Sequence, residues 1–309
     1  MKSSITNNEA FLKKSAAAAS IGTAFILTLI KSYAAFVTGS LSVLSSLIDS
    51  LSDILASAVT YVAVHYSDKP LSKNHRYGYG KAESVSALIQ AAFIAGSAGF
   101  ILYDGFYRFL NPAEIEETTF GIIIMCVCWL ITLALILFQK YIIKRVRSQA
   151  INADSGHYTV DLLSNGSVIL SLLIVKQFNW VWFDVIIAIM IAVYLIYNAG
   201  TIAYEAFEEI TNKEIDESAR KRIIKEVMAI DGVKGCHDFR SRVSGSLYFI
   251  ELHLEFDGNM TLFTTHKLSD LAESKIIAIL PQAQVIIHQD PFGLDEKRLD
   301  HDIEETNDL

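Results

Sequence analysis

The stretch GSLSVLSSLIDSLSDILAS, residues 39–57, places Asp49 and Asp53 inside a long apolar segment. The segment is long enough to predict a membrane-spanning helix, for which about 20 apolar residues are needed. A carboxylate at the centre of a bilayer costs about 2.5–3.5 kcal/mol, so two in one segment predict a functional site. Because the two aspartates are four residues apart, they project from the same side of that helix.

The composition of the whole chain agrees with a membrane protein. Of its 309 residues, 52% are hydrophobic and 19% charged, and the mean hydropathy is +0.35. The formal net charge is -8, and residues 204–309 hold 22 of the 34 acidic side chains but only 12 of the 26 basic ones. This distribution predicts a nearly neutral membrane part followed by an acidic soluble part, and an acidic soluble part excludes nucleic acid as the partner.

Six apolar segments predict an all-α transmembrane domain of six helices. Each has about the length that a bilayer requires, and the fifth is the least apolar because it carries His157, Asp161 and Asn165. We place the segments at about 15–37, 41–64, 84–107, 118–139, 155–175 and 181–203.

The charges of the connecting segments predict the orientation. Lysines and arginines precede the first span and follow the second and fourth, whereas glutamates follow the third. By the positive-inside rule both termini are cytosolic, which an even number of spans also requires. The residues concerned are Lys13, Lys14, Lys69, Lys73, Arg76, Lys81, Lys140, Lys144, Arg145 and Arg147 on one side and Glu114, Glu116 and Glu117 on the other.

The remainder of the chain predicts a small α+β domain. Residues 213–291 alternate helical and strand patterns in the order αββαβ, with Ser244-Gly245 as the turn of the hairpin. The predicted organisation is therefore a cytosolic N-terminal segment, a six-span transmembrane domain, a cytosolic α+β domain and an acidic disordered tail. Their bounds are 1–14, 15–206, 207–291 and 292–309.

The fifth segment repeats the spacing of the first pair with His157 and Asp161. Two packed helices can bring three carboxylates and one imidazole together, a donor set that suits tetrahedral Zn²⁺ or another divalent transition metal such as Fe²⁺, Mn²⁺ or Cd²⁺. A single intramembrane aspartate could instead pair with a base such as Lys31 or line a water cavity. The second pair favours the metal site. Asp154 is interpreted as a helix-start carboxylate, with assistance to ion entry as the alternative.

These groups also bind protons, so an incoming M²⁺ should displace H⁺. The sequence therefore predicts proton-coupled antiport without an enzymatic reaction. The chain has no GxxxxGK[ST] motif, which argues against an ATPase, and no HExxH motif, which argues against an intramembrane metalloprotease. A metal-responsive scaffold or sensor that does not transport remains the alternative.

Six motifs resemble those of the cation diffusion facilitator family, and within it the bacterial ferrous-iron and zinc efflux branch. The motifs are GSLSVLSSLIDSLSDILAS, NHRYGYGKAES, ADSGHYTVDLLSNG, GCHDFRSR, IELHLEF and IIHQDP, and the resemblance as a whole runs from about residue 10 to 292. The resemblance implies a homodimer in the lipid bilayer of the cell inner membrane that exports metal cations from the cytosol. It also implies that the transported Zn²⁺ or Fe²⁺ is held by Asp49, Asp53, His157 and Asp161.

Histidines are concentrated in the soluble part. In the strand pattern SLYFIELHLEF, Glu251, His253 and Glu255 alternate with an apolar set and therefore share the opposite side. The resemblance implies a binuclear Zn²⁺ site at the dimer interface, built from His237, His253, His266, His288 and Asp290. In the loop of residues 66–81 the family pattern retains only His75, with Ser72 and Tyr79 at the other two ligand positions, so that loop is a weak metal site.

Overall fold

A computed structural model of the chain describes residues 2–38, 41–110, 119–178, 182–294 and 298. The chain divides into two compact units, Met1–Phe207 and Glu208–Leu309. The glutamate-rich loop used to predict the orientation and almost all of the predicted acidic tail lie outside the described residues.

The first unit is helical, as predicted. Its long helices correspond in order to the six predicted spans, and four of them contain, within the described residues, a segment apolar and long enough to cross a membrane: Asn8–Ala34, Lys81–Tyr103, Ile123–Ile143 and Ile189–Ile210. The helices are α1 (Lys2–Thr38), α2 (Leu41–Ser67), α3 (Lys81–Leu110), α4 (Thr119–Ile143), α5 (Gln149–Phe178) and α6 (Trp182–Ile210).

Helix α1 begins about one dozen residues before the predicted first span. Hydropathy locates the apolar part of a helix, whereas the backbone hydrogen bonds continue through polar residues as long as no breaker interrupts them. Lys13, on this extension, is buried, and its ammonium lies 2.8 Å from Oε1 of Glu83 at the start of α3. The extension is therefore packed against the helical unit.

Helix α5 lies at the centre of the first unit and packs against α1, α2, α3 and α4. Small side chains on its interface with α3 and α6 allow the helices to approach closely. The buried alanines of this interface are Ala87, Ala91 and Ala98 on α3, Ala153 on α5, and Ala199 and Ala206 on α6. The least apolar predicted span thus packs against four other helices, which explains how it tolerates polar side chains.

The second unit has the predicted αββαβ order. Its elements are α7 (Glu217–Met228), β1 (Gly235–Ser244), β2 (Leu247–Phe256), α8 (Leu262–Ile279) and β3 (Ala283–Pro291). The sheet order is β1-β2-β3, with β1 antiparallel and β3 parallel to β2. Both helices cover one side of the sheet, where the apolar alternation of β2 buries Ile250, Leu252, Leu254 and Phe256. Lys275 on α8 hydrogen-bonds Glu226 on α7 and holds the pKa of that carboxyl below its ordinary value.

The hairpin turn differs by one residue from its predicted position. The two loop residues are Gly245 and Ser246, since Ser244 pairs with Leu247 and still belongs to β1. Gly245 has φ 62°, as the first loop residue of a type II′ turn requires, and glycine adopts that angle without a steric cost. Both Ser-Gly and Gly-Ser mark a turn in a sequence, but only Gly-Ser places the glycine at the first loop position of a type II′ turn.

Candidate metal centres

Three side chains of the first unit converge between α2 and α5. Asp53, His157 and Asp161 each offer a ligand atom within 4.8 Å of the other two. Asp53 and His157 are buried, with 8% and 3% of their surface exposed, and Asp161 is partly buried. Nε2 of His157 lies 3.2 Å from Oδ1 of Asp53. Carboxylates and an imidazole therefore meet inside an apolar helical bundle.

Helix packing brings these residues together as the spacing predicted. His157 and Asp161 are one turn apart on α5, and Asp53 lies on the side of α2 that packs against that helix. Asp49 lies one turn before Asp53 on α2, and its side chain is outside the described residues. The structure thus joins three of the four predicted ligands.

The spacing of the three ligand atoms is compatible with a small divalent metal. In a tetrahedral zinc site with bonds of about 2.0–2.1 Å, neighbouring ligand atoms are about 3.3 Å apart. The distance of 3.2 Å between His157 and Asp53 agrees with this value. Nδ1 of His157 is buried and has no hydrogen-bond partner among the described residues. Nε2 of His157 is therefore placed, relative to Asp53, where a shared metal ion needs only small adjustments.

Aromatic and hydroxyl groups hold the imidazole in place. The rings of Phe93 and Tyr158 stand edge-on to that of His157, with centroids 6.2 and 5.9 Å away. The Tyr158 hydroxyl lies 2.7 Å from Oγ of Ser57 on α2 and donates to the backbone carbonyl of Ser20 on α1. These contacts fix α5 against α1 and α2 immediately beside the ligands.

A second group of ligands lies on the sheet of the second unit. His237 pairs with His253 across β1 and β2, and His253 pairs with His288 across β2 and β3. The three imidazoles therefore form one row across all three strands, with ring centroids 5.1 and 4.6 Å apart. Asp290 projects from β3 on the same side of the sheet, two residues after His288.

Asp290 is the common neighbour of the row. Its Oδ2 lies 2.9 Å from Nδ1 of His253 and 3.6 Å from Nε2 of His237, and its Oδ1 lies 3.1 Å from Nε2 of His288. These distances bracket the separation of about 3.3 Å between ligands of a tetrahedral zinc ion. Asp290 is buried although its strand is at the edge of the sheet. The donor set of imidazoles and one carboxylate fits Zn²⁺.

Glu255 belongs to this centre but was not among the predicted ligands. It is 5% exposed, and its Oε1 lies 3.1 Å from Nδ1 of His237, the ring nitrogen that faces away from Asp290. Gly235, opposite Glu255, leaves room for the carboxylate, since a Cβ there would lie 2.5 Å from Oε2. Arg298 also contacts Oε1 at 2.5 Å. The signal for Glu255 was present in the sequence, because the alternation placed it on the side of His253.

We expect Glu255→Gln to weaken zinc binding at the sheet centre about tenfold. A carboxylate on the second nitrogen of a ligating imidazole fixes its orientation and raises its basicity, and a neutral amide does so less well. The measurement is calorimetric zinc titration of the full chain carrying Asp53→Ala, so that the helical centre is disabled in every sample. Glu251→Gln is the matched control, because Glu251 lies on the same strand but contacts Arg240 instead. Equal affinities in the two variants would contradict this role.

Two predicted ligands are not in either cluster. His266 lies on the exposed side of α8, where Nε2 is 3.7 Å from Asp270. His75 is exposed and stacks on Tyr79 with ring centroids 4.4 Å apart, and Ser72 bonds the Tyr79 hydroxyl. Among the residues that the structure describes, neither histidine belongs to a converging group of three metal donors. The assignment of both as ligands stays a prediction.

Two protein-family models match the chain. Residues 17–211 match the family model described as the cation efflux transmembrane domain, and residues 215–292 match that of the cation efflux protein cytoplasmic domain. The chain is 41% identical over 290 residues to the cation-efflux pump FieF of Shewanella oneidensis. The aligned region covers 94% of this chain and 98% of that protein. It is 39% identical over 279 residues to the pump of the same name from Escherichia fergusonii, and that alignment covers 90% of this chain and 93% of the relative.

One solved structure is similar over the second unit alone. The metal-bound C-terminal domain of the CzcD transporter from Thermotoga maritima is 27% identical to this chain. The match covers 26% of this chain and 100% of that domain, with a TM-score of 0.24.

Proposed function

The chain belongs to the cation efflux family of transporters for divalent metal cations, and on that premise we propose that it exchanges a transition-metal dication for protons across the cell inner membrane. The transported ion is Zn²⁺ or Fe²⁺, with Cd²⁺ and Mn²⁺ as further substrates of the same donor set. It leaves the cytosol, where both termini of the chain lie. The protein catalyses no chemical reaction.

The observation that carries this proposal is the convergence of Asp53, His157 and Asp161 between α2 and α5. Such groups are expensive inside a bilayer unless they face a cavity, a partner or an ion. A divalent cation offsets the desolvation of the carboxylates, and its departure leaves charges that protons can neutralise. Metal and protons therefore stabilise the same site in turn. When the site opens alternately to the two sides of the membrane, it moves metal in one direction and protons in the other.

The second unit supports regulation of this transport. We assign a resident Zn²⁺ to His237, His253, His288 and Asp290, with His266 as a further predicted ligand. The unit also mediates homodimerisation, in agreement with the family to which residues 215–292 belong. Since the unit is acidic, two copies repel one another, and bound Zn²⁺ would reduce that repulsion. Cytosolic zinc thereby controls how closely the two copies associate.

The test of antiport is a flux measurement on the purified chain in proteoliposomes that contain a pH-sensitive dye. Addition of Zn²⁺ on one side should move protons in the opposite direction. An imposed pH gradient should in turn drive Zn²⁺ accumulation, and an ionophore that collapses the gradient should stop it. Zinc uptake that is indifferent to the pH gradient would overturn the proton coupling while leaving metal transport in place.

A metal sensor that does not transport is the second candidate, because the sheet centre is as complete as the helical one. The two functions differ in the residues on which they depend. A sensor requires the sheet centre, and replacement of Asp53 would leave its metal response unchanged. A transporter requires Asp53, and the sheet centre only modulates its rate.

A further inference from the structure

Asp154 is a completely buried carboxylate to which the transport mechanism gives no role. It lies on α5, one turn before His157, and none of its surface is exposed. It is not the residue that starts the helix. Ser148 does this instead, since its side chain accepts a hydrogen bond from the backbone of Ile151. Asp154 therefore lies in the interior of α5, and its interpretation as a helix-start carboxylate does not hold.

Two glutamine amides from neighbouring helices hold this carboxylate. Nε2 of Gln139 on α4 donates to Oδ2 at 2.6 Å, and Nε2 of Gln90 on α3 donates to Oδ1 at 3.3 Å. Both glutamines are fully buried. We call these three residues the Asp154 clasp. It is a hydrogen-bonded connection between α3, α4 and α5.

The clasp also reaches the helix that carries Asp53. The same Gln90 nitrogen donates to the backbone carbonyl of Ala56 at 2.9 Å and to Oγ1 of Thr60 at 3.0 Å, both on α2. Ala56 and Thr60 follow Asp53 by three and seven residues, so they lie on the same side of that helix. Gln90 therefore links the ligand-bearing sides of α2 and α5 one turn from the ligands.

The orientation of the amides depends on the carboxylate. Gln90 and Gln139 each turn their nitrogen towards Asp154, and each leaves a buried Oε1 without a hydrogen-bond partner among the described residues. Buried polar atoms without partners are rare and need an explanation. Here the explanation is that the acceptors facing each amide, Asp154 and for Gln90 also the carbonyl of Ala56, require donors, and an amide donates from its nitrogen and not from its oxygen.

We propose that Asp154 is a positioning residue for the transported ion: through the clasp it sets the separation of Asp53 on α2 from His157 and Asp161 on α5. This inference rests on the proposed function, since it takes those three residues as the ligands. Metal sites tolerate only small displacements of their ligands, and outer partners that hold ligands in place change metal affinity by about 10–100-fold. The hydrogen bonds described for the clasp join the helices to one another, so the clasp acts on the ligands through the helices.

The experiment compares four variants with the unaltered full chain in proteoliposomes, with Zn²⁺ uptake measured as a function of zinc concentration. Asp154→Asn removes one acceptor, and Gln139→Leu removes the bond from the α4 side. The double variant Asp154→Asn with Gln139→Glu exchanges carboxylate and amide across the same two helices. Thr132→Val is the matched control on α4, because Thr132 is buried and its hydroxyl donates to the carbonyl of Cys128 on the same helix.

We expect Asp154→Asn and Gln139→Leu to raise the half-saturating zinc concentration about tenfold, with the maximal rate nearly unchanged and melting temperatures close to that of the unaltered chain. The exchanged double variant should restore the half-saturating concentration. An unchanged half-saturating concentration in Asp154→Asn and Gln139→Leu would overturn the inference. So would an increase that persists in the double variant, or an equal increase in Thr132→Val. Retained transport in Asp53→Ala would instead overturn the proposed function.

Discussion

Asp53→Ala and Asp161→Ala are each expected to abolish zinc-dependent proton flux while the chain still folds and inserts. Loss of an outer partner already weakens metal sites about 10–100-fold, so loss of a ligand should lower the affinity by more than about a hundredfold. Both variants should still fold, because each removes an acidic side chain from a predicted membrane-spanning region, where such groups are costly. Flux is measured in proteoliposomes, and folding by gel filtration and thermal unfolding.

Asp68→Ala is the matched control for these two variants. Asp68 follows the last residue of α2, is exposed, and pairs with Lys14 rather than with a ligand. Its replacement should leave proton flux unchanged. If Asp53→Ala and Asp161→Ala transported as well as Asp68→Ala, the assignment of the helical centre would be wrong.

Asp290→Ala is expected to eliminate zinc binding at the sheet centre at micromolar zinc. Asp290 lies within 3.6 Å of His237, His253 and His288, so its removal takes away the one carboxylate that all three imidazoles approach. The measurement is the amount of zinc retained per chain after dialysis, again with Asp53→Ala in every sample. Transport in the presence of intact Asp53 should continue, with a weaker dependence on cytosolic zinc.

Asp270→Ala serves as the comparison for this variant, because Asp270 is an exposed neighbour of His266 outside the cluster. It should retain zinc as the parent chain does. Equal retention by Asp290→Ala would show that the row of histidines binds metal without its carboxylate, and the proposed ligand set would have to change.

The helical centre was predictable because its ligands lie at one helical spacing within two spans. Asp49 and Asp53, like His157 and Asp161, are four residues apart, and that spacing fixes which residues share a side of a helix. The sequence could not establish that α2 and α5 pack against one another. That contact depends on the small side chains that let α5 occupy the centre of the unit. Many of them are alanines, which also occur throughout the other spans and so do not single out α5.

The supporting residues were harder to predict for a related reason. Glu255 shared a strand side with His253, but only the pairing of Gly235 with Glu255 shows that its carboxylate faces His237. Asp154 was recognised as polar, yet its partners Gln90 and Gln139 are 64 and 15 residues away in the chain. Hydrogen bonds over such separations have no periodic signature in a sequence.

The chain's own pattern of apolar and polar residues determined the six helices, the αββαβ order and the sides of α2, α5, β2 and β3 on which their histidines and carboxylates lie, since both helices and strands repeat with a fixed period. The tertiary structure decided which of those sides meet. The clearest case is β1, where the pairing near the turn, Arg240 with Glu251, would continue to place Asp238 opposite His253. A bulge at Asp238, with φ 47°, adds one residue and places His237 there instead. A one-residue change of register reverses the side of every following side chain, and no periodic pattern records it.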